Sequence, residues 1–404
     1  MLENNKSAAA KFGIDTRHIE RIADTKKNLH VLGNDLTFLE VRESERTKHV
    51  HRLHPYLGKF IPQLVEVFLR KYMRPGQTVI DPFSGSGTTL IEANVLGIHA
   101  IGIELSAFNV LIQNVKSAVY DIPVLETEVR DALRRVMDFS RRAFGGELGL
   151  SEPPPYLETD SQYLKEWYSE RALQEILFFR QIVGEYRYAD VLRIILSRAA
   201  RSARLIPHYD LARPKRPVRE KYYCIKHRRI CEPTNEALKF IVRYGLDTVR
   251  RIREFARLRT EAGIRVIHGD ARLVDLGEIK LHGVLTSPPY VGVIDYHEQH
   301  RYAYELFGFP RRDADEIGPA CRGQGTLAKR HYVDSIVAVF GRLTECLSPG
   351  APSIVVANDK FELYPTIGER CGFELEDVFH RPVLMRTERD SNRYFESIFV
   401  FRRE

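Results

Sequence analysis

Five consecutive residues, Thr286-Ser287-Pro288-Pro289-Tyr290, join hydrogen-bond acceptors, two prolines and an aromatic ring behind the apolar pair Val284-Leu285. Ser287 Oγ and the Pro288 carbonyl can accept the two hydrogens of an exocyclic amine. The paired prolines fix the carbonyl directions, and Tyr290 offers a face on which a planar base stacks. Strand-forming residues precede the segment, which is therefore expected at the carboxyl end of a strand, where open α/β sheets place their ligands. Taken alone it also reads as a stiff proline turn.

A second feature lies far upstream. Gln77-Thr78-Val79-Ile80 reads as a buried strand running into Asp81-Pro82-Phe83-Ser84-Gly85-Ser86-Gly87-Thr88-Thr89. A helix pattern through Leu90, Ile91, Ala93, Asn94 and Val95 stops at Gly97, and His99 to Glu104 forms the next strand. Gly85 and Gly87 let a backbone approach a ligand closely, and Glu104, 17 residues beyond Gly87, can hold a ribose diol. No third glycine follows and no Gly-Lys-Ser/Thr is present, so neither the dinucleotide fingerprint nor a P-loop is met.

Together the two features resemble those of the amino-group nucleic-acid methyltransferases. That family binds S-adenosylmethionine at a Phe-x-Gly-x-Gly loop and the target base at an (Asp/Asn/Ser)-Pro-Pro-(Tyr/Phe) segment. Phe83 to Gly87 matches the loop, and Ser287 to Tyr290 matches the base segment. Softer matches are His54 to Pro62, a region that helps hold the methionine end of the cofactor in some members, Val266 to Ala271, whose acid would meet the adenine ring, and Arg393 to Val400, a closing hairpin strand. The resemblance spans most of the chain outside one central stretch. It implies an α/β fold with a Rossmann-like methyltransferase sheet flanked by helices and interrupted by a largely helical insertion. It also implies catalytic roles for Ser287, Pro288, Pro289 and Tyr290, and cofactor contacts from Asp81, Phe83, Gly85, Gly87, Thr88, Glu104, Asp270 and Lys59.

The elements that must position these residues divide the chain into four parts. Residues 1–34 read as a polar arm, 35–116 as the cofactor half, 117–264 as the insertion and 265–404 as the catalytic half. Helical periodicity in the insertion covers Val124 to Phe144, Ser161 to Val183 and Thr234 to Arg259. With 404 residues and 44% hydrophobic content the chain can bury one large core and a smaller domain. No apolar run approaches the ~20 residues of a membrane span. The polar start, Met1 to Lys6, and five scattered cysteines suit a reducing cytoplasm, in a bacterium or archaeon by the resemblance.

The net charge of +7 is unevenly placed. Arg198 to Arg229 holds eleven Lys or Arg against Asp210 and Glu220, and its prolines argue for an irregular surface. Beside a base segment, this stretch reads as a phosphate-tracking surface for duplex DNA, with Arg213, Lys215, Arg216, Arg219, Lys221, Arg228 and Arg229 as contacts. By the resemblance, the insertion would read the DNA sequence. Within it Cys224-x-x-His227-x-x-x-Cys231 offers three zinc ligands, with His208 as a fourth. Paired Cys-x-x-Cys and His-x-x-x-His spacings are absent and amine methylation needs no metal, so the reading adopted is no metal. The cysteines then pack as small apolar residues while His227, Arg228 and Arg229 face phosphate.

An aromatic amine is a weak nucleophile, whereas a sulfonium methyl is already activated, so the protein's task is alignment and polarisation. Ser287, water or Asp295 could pass the proton on, with Asp295 read first as an anchor for the loop. Serine in the first position tilts the base toward cytosine at its ring-4 amine, as it does in the family. Adenine in DNA and a base amine in RNA are the alternatives. A specificity subunit without turnover is the reading from another class, while a small-molecule methyltransferase would leave the basic stretch unexplained.

Overall fold

The computed structural model describes residues 36–38, 41–56, 58, 61–145, 154–210, 214–383 and 394–403. The arm expected over residues 1–34 lies outside them. Strands β1 (Thr78–Asp81) and β2 (His99–Glu104) pair in parallel, with the helix Thr88–Val95 between them in sequence. After the insertion, which carries a hairpin of β3 (Tyr222–Cys224) and β4 (Arg229–Cys231), come β5 (Ile264–His268), β6 (Gly283–Thr286), β7 (Pro352–Ala357), β8 (Phe373–Val383) and β9 (Tyr394–Arg403). The main sheet has the order β5-β2-β1-β6-β7-β9-β8. Only β9 runs against its neighbours β7 and β8, and the remaining pairings are parallel.

A parallel sheet is covered on both faces, so its central strands are apolar throughout. Every residue of β6 and β7 is buried. Alternation along the strands sends Val79, Leu285, Ile354 and Val356 to one face, where Leu64, Val65, Phe68 and Leu69 of the helix Pro62–Tyr72 meet them. Ile80, Val284 and Val355 face the other way, toward Ile336, Phe340 and Leu343 of the helix Thr326–Cys346.

The insertion leaves after the helix Ala107–Ser117 and returns at β5, which pairs with β2 from Ala100↔Ile264 to Glu104↔His268. Asn94 Nδ2 holds the returning chain at the Ala262 carbonyl, 2.7 Å away. The helices Ile122–Phe144, Ala189–Ala203 and Leu238–Ala256 share one apolar core with Phe108, Leu111 and Ile112 of the methyltransferase half and with Tyr302 and Leu306 beyond the base segment. The single helix expected over Ser161 to Val183 is two, Gln162–Trp167 and Glu170–Ile182, because Ser169 caps the second by accepting from the Ala172 N–H. The basic stretch, expected to be irregular, also holds the β3–β4 hairpin. Among the described residues no helix is long and apolar enough to cross a membrane.

Candidate active site

Strands β5, β2, β1 and β6 are neighbours in the sheet, so the segments leaving their carboxyl ends converge. Between them lies a cavity of about 830 Å³ including its open mouth, within the size range of small-molecule sites. Phe83, Gly85 and Thr88 line it from the β1 loop, Glu104 from β2, Asp270 from β5, and Ser287 and Pro289 from the segment after β6. The structure thus brings together seven of the residues singled out in the sequence. Lys59 lies outside the described residues.

Local backbone demands explain the loop. Gly85 and Gly87 have φ of +51° and +79°, a region costly for residues with a Cβ. A Cβ on Gly85 would also meet the Tyr56 ring at 3.2 Å. From behind, Gln113 Nε2 donates to the Gly85 carbonyl at 2.8 Å and Lys116 Nζ to the Ser86 carbonyl at 2.5 Å, fixing the loop on the helix Ala107–Ser117.

Two of the acids that line the cavity, Glu104 and Asp270, have opposite electrostatics. Burial pushes the Glu104 carboxyl up to about 7, against the N–H groups of Ser106 and Gly85 and the Asn109 amide, which favour its charge. Glu104 Oε1 accepts from the Ser106 N–H at 2.8 Å and from Asn109 Nδ2 at 3.2 Å. For Asp270, burial is outweighed by the Arg272 guanidinium, whose Nη2 lies 2.6 Å from Oδ2, and the carboxyl is held below its usual range.

Four other residues named from the sequence sit elsewhere. Gly87 and Pro288 are absent from the cavity lining, and Asp81 lies beneath it, 1% exposed. Asp81 Oδ2 accepts from Thr89 Oγ1 at 2.7 Å, while Oδ1 accepts from Thr286 Oγ1 at 2.6 Å and from the Phe83 N–H at 3.1 Å. Its carboxylate therefore clasps the glycine loop to the strand that carries the base segment, and is absent from the cavity lining. Asp81→Ala is expected to lower unfolding stability by about 2–4 kcal/mol in urea titrations, since three bonds to a buried carboxylate are lost. A change under about 0.5 kcal/mol, the level of an ordinary surface substitution, would contradict the clasp.

Tyr290 lines a second cavity, of about 390 Å³, with Tyr332, Asn358, Asp359 and Phe361. Its hydroxyl donates to Glu396 Oε1 at 3.0 Å, and Glu396 Oε2 accepts from Arg381 Nε at 2.8 Å. The segment Ser287 to Tyr290 is thus the wall between two cavities, with Ser287 and Pro289 on one side and Tyr290 on the other.

Tyr56, Tyr296, His297 and Glu316 complete the larger cavity. Tyr56 belongs to the His54 to Pro62 stretch, but nothing in its spacing singles it out. Beyond the base segment two short helices, Tyr296–Gln299 and Arg301–Phe307, meet at His300. Glu316 caps the first piece, accepting from the N–H groups of Tyr296 at 3.1 Å and His297 at 2.8 Å, and from His297 Nδ1 at 2.5 Å. No sequence pattern marks that loop residue. Asp295 anchors its loop through the Cys321 N–H at 3.0 Å.

In the basic stretch, Lys215, Arg216, Arg219, Lys221, Arg228 and Arg229 are exposed, and Arg213 lies outside the described residues. Arg198 and Arg204 are buried, so the sequence count overstates the surface charge. Arg198 pairs with Asp247 at 2.8 Å and sits 4.1 Å from the Tyr244 ring centre, while the Arg204 guanidinium lies 5.0 Å from that of Tyr302.

The larger cavity combines a buried acid suited to a ribose diol, a glycine loop without intruding side chains, and walls from Phe83, Ile103 and Leu105. These residues fit S-adenosylmethionine. Residues 3–113 match the profile of an N6/N4 family described as DNA methylase. The type II methyltransferase M.MjaII of Methanocaldococcus jannaschii is 39% identical over 442 residues, covering 92% of this chain and 83% of that protein. Two more distant relatives are the type II methyltransferases M.BsoBI of Geobacillus stearothermophilus and M.MvaI of Kocuria varians. The first is 24% identical, covering 71% of this chain and 58% of that protein; the second is 23% identical, covering 63% and 55%. With the glycine loop and the Ser-Pro-Pro-Tyr segment at the ends of neighbouring strands, and a relative this similar along nearly its whole length, the chain belongs to the amino-group DNA methyltransferases, enzymes whose methyl donor is S-adenosylmethionine.

Proposed function

We propose that the protein methylates the ring-4 amine of cytosine, flipped out of duplex DNA at a specific sequence. The observation that carries the choice of base is Ser287, a neutral hydroxyl residue lining the larger cavity at the first position of the segment. The names of the relatives, all type II methyltransferases, support site specificity and a role paired with restriction.

When bound, S-adenosylmethionine supplies a methyl group made electrophilic by the positive sulfur that carries it. Glu104 would accept from the ribose hydroxyls, Gly85 and Thr88 would hold the methionine end, and Asp270, paired with Arg272, would hold the adenine. On the other side of the wall Tyr290 stacks the cytosine, offsetting part of the few kcal/mol needed to unstack it. Its amine reaches the wall, where Ser287 Oγ and the Pro288 carbonyl accept its hydrogens and Pro289 holds the carbonyl direction. The lone pair is thereby drawn from the ring and aimed at the methyl group. As the N–C bond forms the C–S bond would break and the neutral thioether S-adenosylhomocysteine would leave; the methylated amine is then cationic and acidic, so Ser287 or water takes its proton without a strong base. Exposed Lys215, Arg216, Arg219, Lys221, Arg228 and Arg229 neutralise phosphates.

Incubation with labelled S-adenosylmethionine and either duplex DNA or RNA, followed by digestion to nucleosides and mass spectrometry, tests this reading. Label is expected on deoxycytidine as the N4-methyl species. Label on deoxyadenosine alone overturns the choice of base, label in RNA alone overturns the substrate, and cofactor binding without any transfer favours a specificity subunit.

A further inference from the structure

The sequence left Cys224, His227 and Cys231 without a metal, and the structure gathers them with His208 into one cluster. Their four potential ligand atoms all lie within 4.8 Å of one another. Zinc binds thiolate sulfur at ~2.3 Å and imidazole nitrogen at ~2.0–2.1 Å, and a tetrahedron of those lengths has sulfur-to-nitrogen edges of roughly 3.5–3.6 Å. His227 Nδ1 lies 3.6 Å from Cys224 Sγ and 3.5 Å from Cys231 Sγ. Two edges of the polyhedron are thus already present. We propose that His208, Cys224, His227 and Cys231 form a structural zinc site that staples the basic β3–β4 hairpin.

Packing and hydrogen bonding alone account poorly for the cluster. A single Nδ1 carries either one proton or one lone pair, so it satisfies only one of the two sulfurs beside it. Among the described residues, the buried His208 Nδ1 has no hydrogen-bond partner. Both thiols are free and buried, and the two imidazole rings are 4.9 Å apart. A cation at the centre meets all four atoms at once, and two thiolates balance its charge.

The hairpin also needs such a staple. Its strands have three residues each and stand apart from the main sheet, and isolated hairpins are marginal in water. Tyr223, Ile225 and Ile230 are 58%, 52% and 62% exposed, so apolar burial contributes little. Arg228, in the turn, has φ of +51°, a conformation that ligands at positions 227 and 231 would brace from both sides. Metal binding would then supply folding free energy locally and fix where Lys226, Arg228 and Arg229 point. That these cations meet nucleic acid rests on the function proposed above; the metal site does not.

The full-length protein, purified under reduction without chelators or metal-affinity steps, is expected to carry about one zinc per chain by elemental analysis, as a four-ligand site requires. An organomercurial should release the zinc to a chromogenic chelator. Cobalt(II) in its place should give the intense visible bands of a tetrahedral site and a thiolate charge-transfer band. Cys224→Ser and His208→Ala should each lose the metal, Cys346→Ser should keep it, and the metal-free variants should still bind S-adenosylmethionine. Protein that neither carries zinc nor gives tetrahedral cobalt bands overturns the proposal, whatever the variants do, as does retention of zinc in Cys224→Ser. If the site is real but the hairpin does not meet DNA, removing zinc will leave DNA affinity and its salt dependence unchanged, which overturns the reading of these cations and not the metal site.

Discussion

Replacing Ser287 with alanine is expected to slow methyl transfer to DNA by about 100- to 1000-fold, the loss typical of one preorganised group acting on the reacting atoms. Binding of S-adenosylmethionine should stay within about twofold, because Glu104 and the glycine loop, proposed to hold it, are untouched and a cavity-wall hydroxyl contributes little to affinity. The asymmetry is the informative part. Ser287 lines the same cavity as Glu104, so a merely structural role would disturb cofactor affinity and turnover together. Single-turnover rates with enzyme saturated by cofactor, beside equilibrium titration of cofactor alone, separate the two. If cofactor binding collapses in parallel with the rate, Ser287 belongs to the cofactor and not to the base. Threonine, which keeps the hydroxyl, should recover most of the rate.

Glu104→Gln should weaken S-adenosylmethionine binding by roughly 100-fold, since two hydrogen bonds to a charged acceptor are degraded. The pH dependence makes the prediction specific. Burial holds the Glu104 carboxyl at about 7 in the folded protein. The ribose hydroxyls donate to the charged form, so affinity should be constant above that value and fall by about tenfold per unit below it. The glutamine variant should show no such slope. Stability must move the other way. A carboxyl whose folded value is raised binds its proton more tightly than in the unfolded chain, so the fold loses stability as pH rises from about 4.5 to about 7 and stays penalised above it. Glu104→Gln should therefore raise the thermal midpoint at pH 8 while lowering cofactor affinity. Calorimetry across pH 5 to about pH 8 checks both, and a variant with unchanged affinity would remove Glu104 from the cofactor.

These residues were legible in the sequence because their geometry is local. Gly85 and Gly87 stand where positive φ is required, and Glu104 ends a strand whose bounds, His99–Glu104, follow from its apolar run. The clasp made by Asp81 is not legible in the same way. Its partner Thr286 becomes its neighbour only through the β1–β6 register, in which Ile80 pairs with Val284. Tyr290 stands three residues from Ser287, yet the segment with the proline pair sends the two to different cavities. The charge run misled for Arg198 and Arg204 because a guanidinium stacked on a buried ring and one in solvent have the same sequence signature. The ligands of the proposed zinc site are visible as letters, but the fit of sulfur to nitrogen depends on a hairpin that prolines and charges conceal.

The clasp at Asp81 also has a consequence for how the molecule is made. Its two hydroxyl partners stand 8 and 205 residues away, one within the next helix and the other beyond the whole insertion. As the chain emerges from a ribosome, the glycine loop and its helix can form early. Until Thr286 arrives, the Asp81 carboxylate lacks one of its hydrogen-bond donors. An amino-terminal fragment ending in the insertion should then be assembled but unsealed, prone to holdase capture and slow to lock, as folds ruled by distant strand pairing are. Methylation competence would be gained late, after β6 has paired with β1 and after β7, paired with β6, has brought Asn358 and Phe361 to the cavity of Tyr290.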